Sequence, residues 1–201
     1  SSTQTTAVLT LASSIDYPLE ALLETLTIGT LTLTPTFDGD VFTYAASTIG
    51  ASAIVTAVAT DPGASIVIRN GSTVVANGAA ATWTVGANVV TITVTNGEAD
   101  NVYTVTVTKT LSDTLASLVF TGLTLNPTFG SGTTSYTAET TDVSNVITAV
   151  ATDPAATIAI LHGETPVENG AAITWEAGAN TVTVAVTNGT TKTYTLTVTK
   201  S

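Results

Sequence analysis

The stretch Thr82-Trp83-Thr84-Val85-Gly86-Ala87-Asn88 leads into a run of valine, isoleucine and threonine, then Asn96-Gly97, then Tyr103-Thr104-Val105-Thr106-Val107-Thr108-Lys109. It recurs as Thr174-Trp175-Glu176-Ala177-Gly178-Ala179-Asn180, a similar run, Asn188-Gly189, and Tyr194-Thr195-Leu196-Thr197-Val198-Thr199-Lys200. Strict alternation of valine and threonine is the period of a strand with one face buried and one wet. Threonine suits the wet face, because its branched Cβ fits the pleat while its hydroxyl stays hydrated. Each copy therefore predicts a closing β-hairpin turned at Asn-Gly.

Outward from the hairpins the repetition continues. Leu23, Leu26, Leu31, Leu33, Pro35, Phe37 and Tyr44 are answered by Leu115, Leu118, Leu123, Leu125, Pro127, Phe129 and Tyr136, each 92 positions on. The spacing holds through Asp61-Pro62 and Asp153-Pro154, and one residue is lost inside the second hairpin. A repeat of this length is a duplicated domain rather than a solenoid unit, which spans roughly 20–50 residues. Within each copy, Ala53 to Thr60 and Asn145 to Thr152 read as central strands. Asp-Pro reads as a turn, and Ile66/Ile68 and Ile158/Ile160 as the next strand. Asn70-Gly71 becomes His162-Gly163, and histidine, like asparagine, tolerates positive φ better than most residues. Asn77-Gly78 and Asn169-Gly170 mark a further tight turn. The pattern predicts all-β architecture, two tandem seven-stranded sandwiches, over residues 18–109 and 114–201. A short linker, 110–113, and an N-terminal extension, 1–17, complete the division.

Composition excludes several functions. Charged residues are 9% of the chain and the net charge is −11, with only 4 Lys+Arg. No basic patch is available for nucleic acid or for anionic membrane surfaces. Mean hydropathy is +0.43, and no charge falls between Arg69 and Glu98. Glycines break that stretch, so it is not a spanning helix, and 5% aromatics are too few for the girdles of a membrane barrel. Membrane insertion is not expected. Without cysteine there is neither a disulfide nor a thiolate metal site, and no cofactor is indicated. The opening Ser1-Ser2-Thr3 carries no Met and no signal-like segment, as in a processed product, a fragment or a Met-trimmed chain.

Thr6 to Ala12 is β-prone, with Ala7, Leu9 and Leu11 on one face. It predicts a strand that packs on its own first domain or joins the sheet of a neighbouring subunit through main-chain hydrogen bonds. Asp16 to Leu23 offers a cap residue, an early proline and helix formers, so one helical turn is expected before the first strand.

The pattern Leu-x-x-Leu, Leu-x-Leu-x-Pro-x-Phe, a Tyr-Thr strand, an Asp-Pro turn, Gly-x-Asn, and the ending at 189–200 resembles the cadherin-like, immunoglobulin-like β-sandwich of bacterial and phage surface proteins. The resemblance covers about residues 19–201. The first copy departs from it at Glu98-Ala99-Asp100-Asn101-Val102. It implies a non-catalytic structural or adhesive module, extracellular, on a virion (decoration, tail or fibre) or a bacterial cell surface (filament or stalk). Its expected partners are copies of itself or neighbouring structural subunits. The acidic clusters that bind calcium between true cadherin domains are missing around 109–114.

Four features are candidates for chemistry. Asp38-Gly39-Asp40 is the most metal-like loop, since oxygen-rich loops suit Ca²⁺, but its counterpart Gly130-Ser131-Gly132 has no carboxylate, which favours a solvated turn. Trp83 and Trp175 could stack sugars, in an alternative reading as a carbohydrate-binding pair attached to a secreted or cell-wall enzyme that binds surface glycans. Core packing is the competing reading. His162 is the only histidine and has no nucleophile in a repeated arrangement. Asn70-Gly71-Ser72 and Asn188-Gly189-Thr190 match the glycosylation pattern.

Overall fold

The structure, a computed structural model, describes residues 20–201. Each copy folds as eight strands. In the first they are β1 (Leu23–Ile28), β2 (Thr43–Thr48), β3 (Ser52–Ala59), β4 (Ser65–Asn70), β5 (Thr73–Val75), β6 (Ala80–Thr82), β7 (Gly86–Asn96) and β8 (Ala99–Lys109). In the second they are β9 (Leu115–Phe120), β10 (Ser135–Thr140), β11 (Ser144–Ala151), β12 (Thr157–His162), β13 (Thr165–Val167), β14 (Ala172–Thr174), β15 (Gly178–Asn188) and β16 (Thr190–Lys200). The expected seven become eight because the chain between residues 70 and 82 breaks into two three-residue strands on opposite sheets.

Domain 1 packs a three-stranded sheet, β1-β3-β6, against a five-stranded sheet, β2-β8-β7-β4-β5. Domain 2 repeats this with β14-β11-β9 and β10-β16-β15-β12-β13. Pairing is antiparallel except for β2 with β8 and β10 with β16, which are parallel. Two sheets face to face make each copy an immunoglobulin-like β-sandwich.

The alternation explains the layers. Tyr103, Val105 and Val107 are buried while Thr104, Thr106 and Thr108 lie at the surface. One core joins residues from Ala21 to Val107, the other from Leu115 to Val198. At about 25 cal/mol per Å² of apolar surface removed from water, these valines and leucines supply most of the drive to fold.

The turns correct the expected placement of positive φ. Among the described residues no asparagine or histidine has positive φ; Gly71, Gly97, Gly163 and Gly189 carry it instead. The lost residue also has a clear place. Asn96 pairs with Ala99 across Gly97-Glu98, whereas Asn188 pairs with Thr190 across Gly189 alone. The expected helical lead-in is not formed over Glu20–Leu22, which carry no regular structure; its earlier residues lie outside the described residues.

Candidate functional site

The repeated polar residues close the main chain. Asn88 is buried and its Oδ1 accepts from Thr84 N (2.9 Å), while Nδ2 donates to Thr84 O (2.8 Å), Gly86 O (3.1 Å) and Val107 O (3.2 Å). Asn180 does the same for Glu176 N and for Glu176 O, Gly178 O and Val198 O. This is why asparagine stands two residues after each turn glycine. One amide satisfies groups that the strand ladder leaves unpaired. Asn77 and Asn169 each grip both main-chain groups of one residue on the neighbouring strand, Ala57 and Ala149.

A second pair of asparagines ties down the chain where it enters each domain. Asn96 Nδ2 donates to Asp61 Oδ2 (2.9 Å) and to Glu20 O (3.3 Å). Asn188 Nδ2 donates to Asp153 Oδ2 (2.6 Å) and to Ser112 O (3.4 Å), so it holds the linker. The other carboxylate oxygens cap the Asp-Pro turns, Asp61 from Gly63 N and Asp153 from Ala155 N. The Gly63 N–H, then the Asn96 amide, hold the Asp61 carboxyl below its ordinary range. Thr190 Oγ1 adds a bond to Asp113 Oδ2 (2.8 Å). Leu111 covers Gly189 so closely that a Cβ there would lie 2.8 Å from Leu111 Cδ1. The sequence pairs Asp-Pro with Asn-Gly at constant spacing in both copies, and that was the available signal for this clamp.

The Asp38–Asp40 loop is a turn. Asp40 N donates to Asp38 Oδ1 (3.0 Å), Tyr44 Oη donates to Asp38 O, and Tyr103 Oη donates to Gly39 O (2.6 Å) while accepting from Leu23 N (3.0 Å). Tyr194 repeats this with Ser131 O and Leu115 N. Burial pushes both Tyr103 and Tyr194 above the ordinary phenol range. Among the described residues no three His, Cys, Asp or Glu side chains gather as metal ligands; Asp38 and Asp40 stand as a pair within their turn.

Of the two readings of the tryptophans, the structure places both rings in the cores. Trp83 is 5% exposed and Trp175 2%, so neither turns a ring face outward, and both pack in the sandwich cores. Trp175 Nε1 donates to Asn145 Oδ1 (2.6 Å). Trp83 Nε1 is buried and meets no acceptor among the described residues. His162 closes β12 with its ring edge-on to Trp175 (5.6 Å between centroids) and Nε2 3.2 Å from Asn180 Oδ1. It serves the same Gly-x-Asn corner.

Charge divides unequally. Every carboxylate of domain 1 (Glu20, Glu24, Asp38, Asp40, Asp61, Glu98, Asp100) falls on the end or half where the chain enters, while Lys109 marks the far end. In domain 2, Glu139, Asp142, Glu164 and Glu176 lie at the far end instead. Ala7, Leu9 and Leu11, the expected assembly strand, lie outside the described residues.

The fold and these clamps define a tandem of immunoglobulin-like β-sandwiches. No family model matches the chain, and no curated protein sequence matches it. Among solved structures, a chimeric titin Z1Z2 functionalised with a KLER peptide from decorin is 11% identical, covering 91% of this chain and 99% of its own, with a TM-score of 0.40. Titin-A168169 is 12% identical, over 77% and 93%, with a TM-score of 0.34. The fibronectin(III)-like modules of Clostridium thermocellum CbhA are 13% identical, over 85% and 94%, with a TM-score of 0.26.

Proposed function

We propose that this chain is a non-catalytic structural or adhesive module that works outside the cell, as part of a virion or a bacterial surface filament. In this reading it joins copies of itself or neighbouring structural subunits through its low-charge faces and the β-prone segment Thr6–Ala12. The observation that carries the reading is the use of the repeated polar side chains. Asn77, Asn88, Asn96 and Tyr103, with their partners in domain 2, all bond to the chain's own backbone. Residues that would be the first candidates for chemistry hold the sandwiches shut.

The sheet edges support assembly. β5, β6, β13 and β14 are blunted by their three-residue length, and β2 and β10 are each bridged once on the outer side. Among the described residues, the six-residue edges of β1 and β9 carry a register break near their starts and meet no further strand on their outer side, and an open edge is a template for another strand. Beside β9 runs a groove of about 270 Å³ lined by Leu118, Phe120, Leu123, Leu125 and Phe129, whose apolar walls suit Leu9 and Leu11. Light scattering after size exclusion tests the reading. The full chain is expected to form oligomers that fall to monomers when residues 1–15 are removed, and a monomer in both cases overturns it.

A further inference from the structure

Domain 2 carries a chain of hydrogen bonds at its far end that domain 1 has only at the two extremes. Trp175 Nε1 donates to Asn145 Oδ1 (2.6 Å), Asn145 Nδ2 donates to Asp142 Oδ2 (2.9 Å), and Asp142 N donates to Thr140 Oγ1 (3.0 Å). In domain 1 the indole and the hydroxyl are kept as Trp83 and Thr48, but Ala53 stands for Asn145 and Gly50 for Asp142. Among the described residues Trp83 Nε1 is buried with no acceptor, and Thr48 Oγ1 accepts from Gly50 N (2.9 Å). The residues that stand where Asn145 and Asp142 stand in domain 2 are small, Ala53 and Gly50.

A buried N–H without an acceptor is costly enough that folded proteins pair nearly all of them, with ordered water where no side chain reaches. We propose that domain 1 completes the chain with water. One or two solvent molecules accept the Trp83 indole proton and pass the hydrogen bond to the Thr48 hydroxyl, standing where the Asn145 and Asp142 side chains stand in domain 2. The chemistry selects water over an ion. The donor is a neutral N–H, the other terminus is a hydroxyl, and the carboxylate of Asp142 has no replacement at Gly50. A water fills roughly 30 Å³ in the liquid, a volume comparable to the carboxamide or carboxylate group it replaces. Thr48 O also accepts from Thr110 N (2.9 Å), so the hydrated corner sits on the residue that anchors the linker.

The chain has 2 tryptophans, so a ¹⁵N-labelled full-length sample shows one indole N–H signal for each domain. A direct rotating-frame cross-peak to water is expected at Trp83 Nε1–H and not at Trp175. Ala53→Asn should remove the cross-peak and slow exchange of that indole proton at least tenfold. Asn145→Ala should create the cross-peak at Trp175. Absence of a water contact at Trp83 in the native chain overturns the proposal, as does a contact that persists unchanged in Ala53→Asn. Where Ala53→Asn unsettles domain 1, the domain 2 variant decides alone: a Trp175 indole that gains no water contact counts against it.

Discussion

Domain 1 and domain 2 share strand order, register and three asparagine positions of their turns, yet they finish their polar groups differently. Domain 2 satisfies its buried indole with Asn145 and braces that asparagine against Asp142 and Thr121. Domain 1 keeps the tryptophan and drops the brace. The turns beside the brace differ to match. Gly29 takes positive φ at the first central position and Gly122 at the second, which are type II′ and type II turns whose middle peptides point opposite ways. In domain 2 that places Thr121 O on Asn145. The lesson is that a duplicated sandwich can lose a side-chain network at its rim while its hairpins hold the fold.

The sharpest test of what the domains share is the Gly-x-Asn corner. Asn88→Ala and Asn180→Ala should each cost about 3 kcal/mol, because several main-chain groups lose their partner at once. Chemical denaturation followed through the two indole signals measures each domain separately, and a difference above about 1 kcal/mol between them would break the equivalence. The rim should then separate the domains. Asn145→Ala should destabilise domain 2 by about 2 kcal/mol, whereas Ala53→Asn should change domain 1 by less than about 1 kcal/mol, because the new carboxamide takes over a bond that water already makes and finds no brace for its own N–H groups. Equal and opposite effects are not expected, since Gly50 offers no brace.

A smaller effect belongs to the linker. Gly189→Ala forces a side chain into positive φ and against Leu111, and should lower the domain 2 transition by about 1 kcal/mol. Glu98, the residue inserted in the first hairpin, tolerates alanine without loss by the same assay. The smallest effect is the response to pH. Asp61 has a lowered folded pKa, so its contribution is complete above the unfolded carboxylate range and is lost as pH falls through the folded value. The melting temperature of domain 1 should drop on acidification, and Asp61→Asn should flatten that drop. Tyr103 and Tyr194 are both raised; their contribution is present below the unfolded phenol value and is lost as pH climbs from there through the folded value. Both domains should weaken together on the alkaline side.

The sandwich was legible in the sequence because a strand of valine and threonine repeats every two residues, and Tyr103 to Lys109 does so without interruption. A constant offset of 92 residues, one shorter past the turn of the second hairpin, then placed the second domain without further argument. What stayed hidden were contacts between residues far apart in the chain. Asn96 reads as half of a turn, and only the folded sheet shows that its amide reaches Asp61 and Glu20. The tryptophans left two readings open, a surface platform and core packing, for the same reason. Their position near tight turns suggests a surface, but the residue after a three-residue strand such as β6 points inward, between the sheets. The strand count differed because β5 and β6 are too short to leave a periodic signal.

The gathering of domain 1's carboxylates at one end makes that domain an electrical bar, negative at its leading pole. Two such bars lying side by side repel least when they point in opposite directions, and most when their leading poles meet. Lateral contacts between copies in dilute salt should therefore favour antiparallel pairs. Because the screening length is about 8 Å at physiological ionic strength, ordinary saline erases much of that preference and leaves polarity to whatever strand or groove makes the contact.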